Sequence, residues 1–118
     1  FLLSPLEFRR IIDEINRPYV QAYFDVGNVL IAGYPDQWIR ILGERIKALH
    51  IKDFKLAIGT INGFVDLLEG DVPWDRVMAA LREIGYDRAL TAEYWPYAHS
   101  REAMLQHVFT SLQTIMAM

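Results

Sequence analysis

The sequence predicts an α/β fold on parallel strands, in the order α-β-α-β-α-β-α. Helical and extended patterns alternate along the chain, each extended stretch has one apolar face, and Pro or Gly marks most changes of pattern. Regular alternation of this kind implies parallel strands joined by helical crossovers. The 118 residues are 53% hydrophobic and 23% charged, enough apolar surface for a packed core and too much for disorder.

Ser4-Pro5-Leu6-Glu7 starts the first helix: Ser4 caps free amides, Pro5 suits the first position and Glu7 completes a capping box. Phe8, Ile11, Ile12 and Ile15 fall on one face, Arg9-Arg10 and Asp13-Glu14 read as its solvated side, and Arg17-Pro18 closes the helix. Residues 19–26 read as a strand, broken at Gly27-Asn28. Pro35-Asp36 opens a short helix with Trp38, Ile39 and Leu42 inward, and 46–53 is the second strand. The stretch 54–72 is a long loop holding Gly59, Gly63 and Gly70, expected to be either a lid over a site or disordered. Pro73 begins a third helix with Trp74, Val77, Met78, Leu81 and Ile84 on its apolar face and Gly85 as its stop. Residues 89–95 are the third strand. The last helix runs from 99 to about 117, with Met104, Leu105, Val108, Leu112, Ile115 and Met116 on one stripe. Trp38, Trp74 and Phe109 are expected in the core, His99 at a helix start and His107 on the solvated side.

Side chains alternate along a strand. Gln21, Tyr23 and Asp25 therefore share a face, as do Ala48, His50 and Lys52, and Thr91, Glu93 and Trp95; the opposite faces are apolar. Near the C-terminal end of each strand stands one metal-competent or acid/base group: Asp25, His50 and Glu93. In parallel α/β folds that end is where sites are built. Singly, each residue has a plainer reading. Asp25 ahead of Val-Gly-Asn suits a turn, and a lone strand His suits a hydrogen-bonded core. Glu93 is harder to place so, because an unpaired buried carboxylate is costly. Together they predict one shared site.

Composition narrows the functions. A net charge of −3 gives no electrostatic footprint for nucleic acid. No apolar run approaches the ~20 residues of a membrane span, and no secretory signal is visible. The absence of cysteine excludes disulfides and thiolate metal sites and fits a cytoplasmic home.

Five motifs, YFDVGN (Tyr23 to Asn28), GYPDQWI (Gly33 to Ile39), RIKALHIKDF (Arg45 to Phe54), LLEGDVPW (Leu67 to Trp74) and IGYDRALTAE (Ile84 to Glu93), resemble in order and spacing the C-terminal part of the sugar-phosphate isomerase/epimerase superfamily, the xylose-isomerase-like barrels that include the ketose 3-epimerases. The resemblance covers essentially the whole chain and implies a (β/α)8 barrel. Such a barrel takes ~250 residues, so the chain, which opens on Phe1 rather than Met, is expected to be a single partial domain, 1–118, of one. The resemblance further implies one divalent ion, Mn²⁺, Mg²⁺ or Co²⁺, with Zn²⁺ also compatible with the ligand types. Asp25, His50 and Glu93 match three of its four ligands, and the remaining Glu belongs to a strand upstream of Phe1. Glu93 is also implied as a catalytic acid/base that moves the proton beside the sugar carbonyl through a cis-enediolate. Lys52 and Asp53, which follow His50 as in family members, and more weakly Lys55, are implied as substrate-binding. Lys52 equally suits a structural ion pair.

The expected activity is thus isomerisation or 3-epimerisation of a sugar or sugar phosphate. A metal-dependent abasic-site endonuclease shares the barrel, but Asn28 stands where those enzymes place another His, and the acidic balance disfavours DNA. A third reading is a partial barrel serving assembly or binding. Three strands cannot close a barrel, so the partner is expected to be the missing N-terminal part or a second copy.

Overall fold

The computed structural model describes residues 3–118. Helix α1 spans Pro5–Ile15, with the Ser4 side chain accepting from the Glu7 amide at 3.4 Å. It ends at Asn16, which takes the left-handed conformation (φ 44°) and returns its N–H to Ile12 O, ahead of Arg17-Pro18. Ile12 is buried and Phe8 packs against the core, while Ile15 is exposed. Strand β1 is Ala22–Asp25, shorter than expected, because residues 18–19 turn and Tyr19 points to solvent.

The break expected at Gly27-Asn28 is instead a short helix, α2 (Val26–Leu30), capped by Asp25, whose Oδ1 accepts from the Asn28 amide at 2.9 Å. A Cβ on Gly27 would stand 2.6 Å from the Lys52 carbonyl oxygen, so glycine lets α2 press against the end of the second strand. Helix α3 (Pro35–Leu42) buries Trp38, Ile39 and Leu42 as expected. It also buries Asp36, whose Oδ2 takes Arg40 at 2.8 Å and Arg76 at 3.1 Å. Strand β2 is Ile46–Ile51, helix α4 is Trp74–Glu83, strand β5 is Leu90–Ala92 and helix α5 is Arg101–Met116.

The three main strands form one parallel sheet in the order β1-β2-β5. Register between β1 and β2 slips once: Ala22 faces Ile46, but Tyr23 faces Ala48. One extra residue, Lys47, is thereby inserted in β2. The slip brings Asp25 opposite His50; without it Asp25 would face Leu49. His50 in turn faces Thr91 on β5.

The apolar side of the sheet (Ala22, Phe24, Leu49, Ile51) joins Trp38, Ile39, Leu42, Val77 and Leu81 from α3 and α4 in one core. Each fully buried Leu or Ile there contributes about 1.5–3 kcal/mol relative to exposure. Helix α5 is attached through Ser111 and Ile115, which are buried, with Met104, Val108 and Leu112 partly so. Leu105, Phe109 and Met116 lie on its outer side, and Phe109, expected in the core, is 58% exposed. The apolar arc of this helix is wider than the surface it meets. His107, expected in solvent, is half-buried beside Ser111 and the Tyr94 ring. Among the described residues, no helix is long and apolar enough to cross a membrane.

The stretch 54–72 is built rather than loose. Strands β3 (Asp53–Phe54) and β4 (Phe64–Val65) pair antiparallel, with a 3₁₀ turn at Ile61–Gly63. Asp71 accepts from the Leu56 amide at 2.8 Å. The anchor is Asp53, 0% exposed: Oδ1 accepts from the amides of Phe54 (2.9 Å) and Val72 (3.2 Å), and Oδ2 from the Leu68 amide (3.0 Å) and Trp74 Nε1 (3.1 Å). Gly70 passes so close that a Cβ there would collide with the Asp53 carboxylate.

Candidate metal centre

Asp25 ends β1, His50 sits near the end of β2, and Glu93 follows β5 directly, its amide continuing the ladder to Ile51 O at 3.1 Å. Parallel strands in this register set the three side chains side by side. His50 Nδ1 lies 3.6 Å from Asp25 Oδ2 and 3.3 Å from Glu93 Oε2, and all three ligand atoms fall within 4.8 Å of one another. An ion about 2.1 Å from two donors separates them by about 3.0 Å at a right angle and about 3.4 Å at the tetrahedral angle. The spacing fits a single divalent ion after small adjustments. A second observation agrees: Asp25 Oδ2 is buried and has no hydrogen-bond partner among the described residues. The Lys52 ammonium, 3.6 Å away, offsets its charge without hydrogen-bonding it, so one coordination direction of a buried carboxylate oxygen is left open. Two carboxylates and one imidazole are a donor set for Mn²⁺, Mg²⁺, Co²⁺ or Zn²⁺.

Two neighbours shape the cluster. Lys52 places Nζ 2.7 Å from Glu93 Oε2 and 3.6 Å from Asp25 Oδ2. The hydrogen bond from Lys52 holds the Glu93 carboxyl below the usual carboxylate range, against a smaller opposing effect of desolvation. Glu93 is therefore ionised at neutral pH, while its side chain stays 48% exposed and reachable. Tyr23 places its hydroxyl 2.6 Å from His50 Nε2, with the two rings 4.3 Å apart. When Nε2–H donates to that oxygen, the Nδ1 lone pair is the one that faces the carboxylates. Strand alternation had put Tyr23 on the face of Asp25, a signal that assigned it no role without the register.

Beside the cluster opens a cavity of about 280 Å³, lined by Lys52, Phe64, Asp66, Glu93, Tyr94 and Tyr97 among others. Lys52 Nζ stands 4.4 Å from the centre of the Phe64 ring. Tyr97 donates to Asp66 Oδ2 at 2.7 Å. The Tyr94 hydroxyl is buried and without a hydrogen-bond partner among the described residues, and its burial pushes its pKa up. The stretch 54–72 thus supplies one wall of the cavity through Phe64, Val65 and Asp66.

The structure gathers Asp25, His50, Glu93 and Lys52. It does not gather the other two residues expected to bind substrate. Asp53 corrects the expectation: its oxygens are occupied by four donors beneath the surface, so it holds the loop and the Trp74 indole in place. Lys55 is exposed and is not part of the cavity wall.

A model of the xylose isomerase-like TIM barrel family matches residues 1–114. No curated protein matches the chain. Among solved structures, the chain resembles a xylose isomerase domain protein from Planctomyces limnophilus, with a TM-score of 0.79 and 25% identity over 97% of this chain and 43% of that one. It also superposes on the IolI protein with a binding zinc atom, with a TM-score of 0.80 and 21% identity over 92% of this chain and 42% of that one. It therefore spans less than half the length of either. The parallel sheet with helical crossovers is part of a TIM barrel, and the chain belongs to the xylose isomerase-like TIM barrel family.

Proposed function

We propose that the chain carries the metal-binding side of a sugar isomerase or 3-epimerase. The observation that carries this is the meeting of Asp25, His50 and Glu93 from three strands around the unmatched Asp25 oxygen. Asp25 Oδ2, His50 Nδ1 and Glu93 Oε2 would hold one divalent ion, with Mn²⁺, Mg²⁺ and Co²⁺ as first choices. A bound ion supplies positive charge to neighbouring substrate oxygens and stabilises negative charge that develops on them.

The chain's own residues do the rest. Glu93, whose carboxyl already lies below the usual carboxylate range in the metal-free cluster, takes the proton from the carbon beside the sugar carbonyl, leaving a cis-enediolate. Phe64, Tyr94 and Tyr97 give the sugar an aromatic wall that excludes water, and Tyr97-Asp66 and the free Tyr94 hydroxyl offer hydrogen bonds to its hydroxyls. Lys52 stands on the same cavity wall and offers a cation to substrate oxygens. In an epimerase a second carboxyl returns the proton on the opposite face of the sugar; this role falls to a Glu on a further strand.

The same reading places the rest of the barrel around this sheet. Among the described residues both β1 and β5 are edges, and Leu105, Phe109 and Met116 form an exposed apolar ridge on α5. We assign the covering surface to the remainder of a barrel or to a second copy, as part of a cytoplasmic enzyme; light scattering of the purified protein separates the two. The activity is tested by solvent deuterium exchange at the carbon next to the carbonyl, across free and phosphorylated ketoses with Mn²⁺. Exchange that disappears on chelation is expected, and a panel without exchange removes the reading.

A further inference from the structure

We infer that Lys52 is a resident counter-cation that a metal ion has to displace, so that this lysine sets how tightly the centre holds its ion. The inference rests on the metal reading above and adds a competitor to it. Lys52 Nζ is hydrogen-bonded to Glu93 Oε2 at 2.7 Å and lies 3.6 Å from Asp25 Oδ2. Those are two of the three oxygen and nitrogen atoms that face one another in the cluster. The lysine side chain is only 14% exposed, so the pairing is held by its surroundings, including the Phe64 ring beneath Nζ. The ammonium offsets the charge of both carboxylates yet stands too far from Asp25 Oδ2 to hydrogen-bond it, and that oxygen stays unmatched.

An ion about 2.1 Å from Glu93 Oε2 would lie no more than about 4.8 Å from Nζ in its present place. A divalent charge and an ammonium sharing one carboxylate oxygen in a part-buried site repel each other. The cavity gives the displaced lysine somewhere to go. On its wall stand the Asp66 carboxylate and the buried Tyr94 hydroxyl, an acceptor without a partner among the described residues. Ion entry and release of Lys52 toward the cavity are thus one coupled event. The lysine is a positioning group for the substrate pocket and a brake on metal affinity.

The test is calorimetric titration of Mn²⁺ into chelator-stripped full-length protein, as wild type, Lys52→Met and Lys52→Arg. Met keeps most of the volume and removes the charge; Arg keeps the charge. Lys52→Met is expected to bind Mn²⁺ at least tenfold more tightly than wild type, and Lys52→Arg to stay within about threefold of it. Wild-type binding with no tightening in Lys52→Met overturns the inference and leaves the metal reading intact. No Mn²⁺ binding by any of the three overturns both. A second measurement needs no variant: in lysine-labelled wild-type protein, the Lys52 side-chain NMR signals are expected to shift on saturation with diamagnetic Mg²⁺. Signals that stay in place as Mg²⁺ binding saturates overturn the displacement.

Discussion

Asp25 and Asp53 are the same side chain treated in opposite ways. Asp53 is fully buried, and every direction of its carboxylate is met by a donor, three backbone amides and one indole. Asp25 has one oxygen on the Asn28 amide and the other buried without a hydrogen bond among the described residues, facing His50 and Lys52. The first arrangement is finished and can only hold structure. The second is incomplete, and its incompleteness is what leaves room for an ion. A carboxylate's role is decided by the donors it lacks as much as by those it has.

The contrast can be broken at several points. The largest effect is expected from Glu93→Gln, which keeps the shape but removes the charge and the proton acceptor: turnover should fall by about 10³-fold with far-UV dichroism unchanged. Undiminished exchange would take Glu93 out of the open cluster. Asp53→Asn comes next. An amide presents one acceptor oxygen and one NH₂ group to four converging donors, so urea unfolding should register a loss of at least ~3 kcal/mol. A loss under ~1 kcal/mol would mean the anchor is dispensable. Asp25→Asn should show the mirror image. The amide keeps the cap on α2, so stability without metal should change by less than ~1 kcal/mol, whereas Mn²⁺ affinity should drop about 100-fold, or about 2.7 kcal/mol. Equal losses of stability in the two Asp→Asn variants would erase the distinction. The smallest effect belongs to Tyr23→Phe, which removes the oxygen beside His50 Nε2 and should weaken Mn²⁺ binding about tenfold, read by the same titration.

Much of this was legible in the sequence, for reasons that individual residues make plain. Period-two alternation separates Asp25, His50 and Glu93 from the apolar faces of their strands, and the capping pattern at Ser4-Pro5 and the stop at Gly85 mark real helix ends. Alternation also sets Asp53 on the face of Ile51, away from His50 and Lys52. The family resemblance drew it toward the substrate, and the structure returns it to the interior. Other features lie beyond a one-dimensional reading. The slip at Lys47 depends on the partner strand, which composition does not encode. Helix α2 is too short to show a period. On α5 the apolar arc includes both Ile115, which is buried, and Phe109, which is not, because the sequence says how much of a helix is apolar but not where its neighbour stands.

The sheet order β1-β2-β5 puts one member of the cluster on each strand or at its end. A chain in which only β1 and β2 have come together holds two of the three donors, so an ion of the proposed kind would meet its full donor set only when β5 has docked. On the proposed metal reading, ion binding and sheet assembly would therefore be linked equilibria. An ion at 100 times its dissociation constant would add about 2.7 kcal/mol to the closed arrangement. The ion would then act as a rivet through three strands, and its affinity would gauge how completely they are joined.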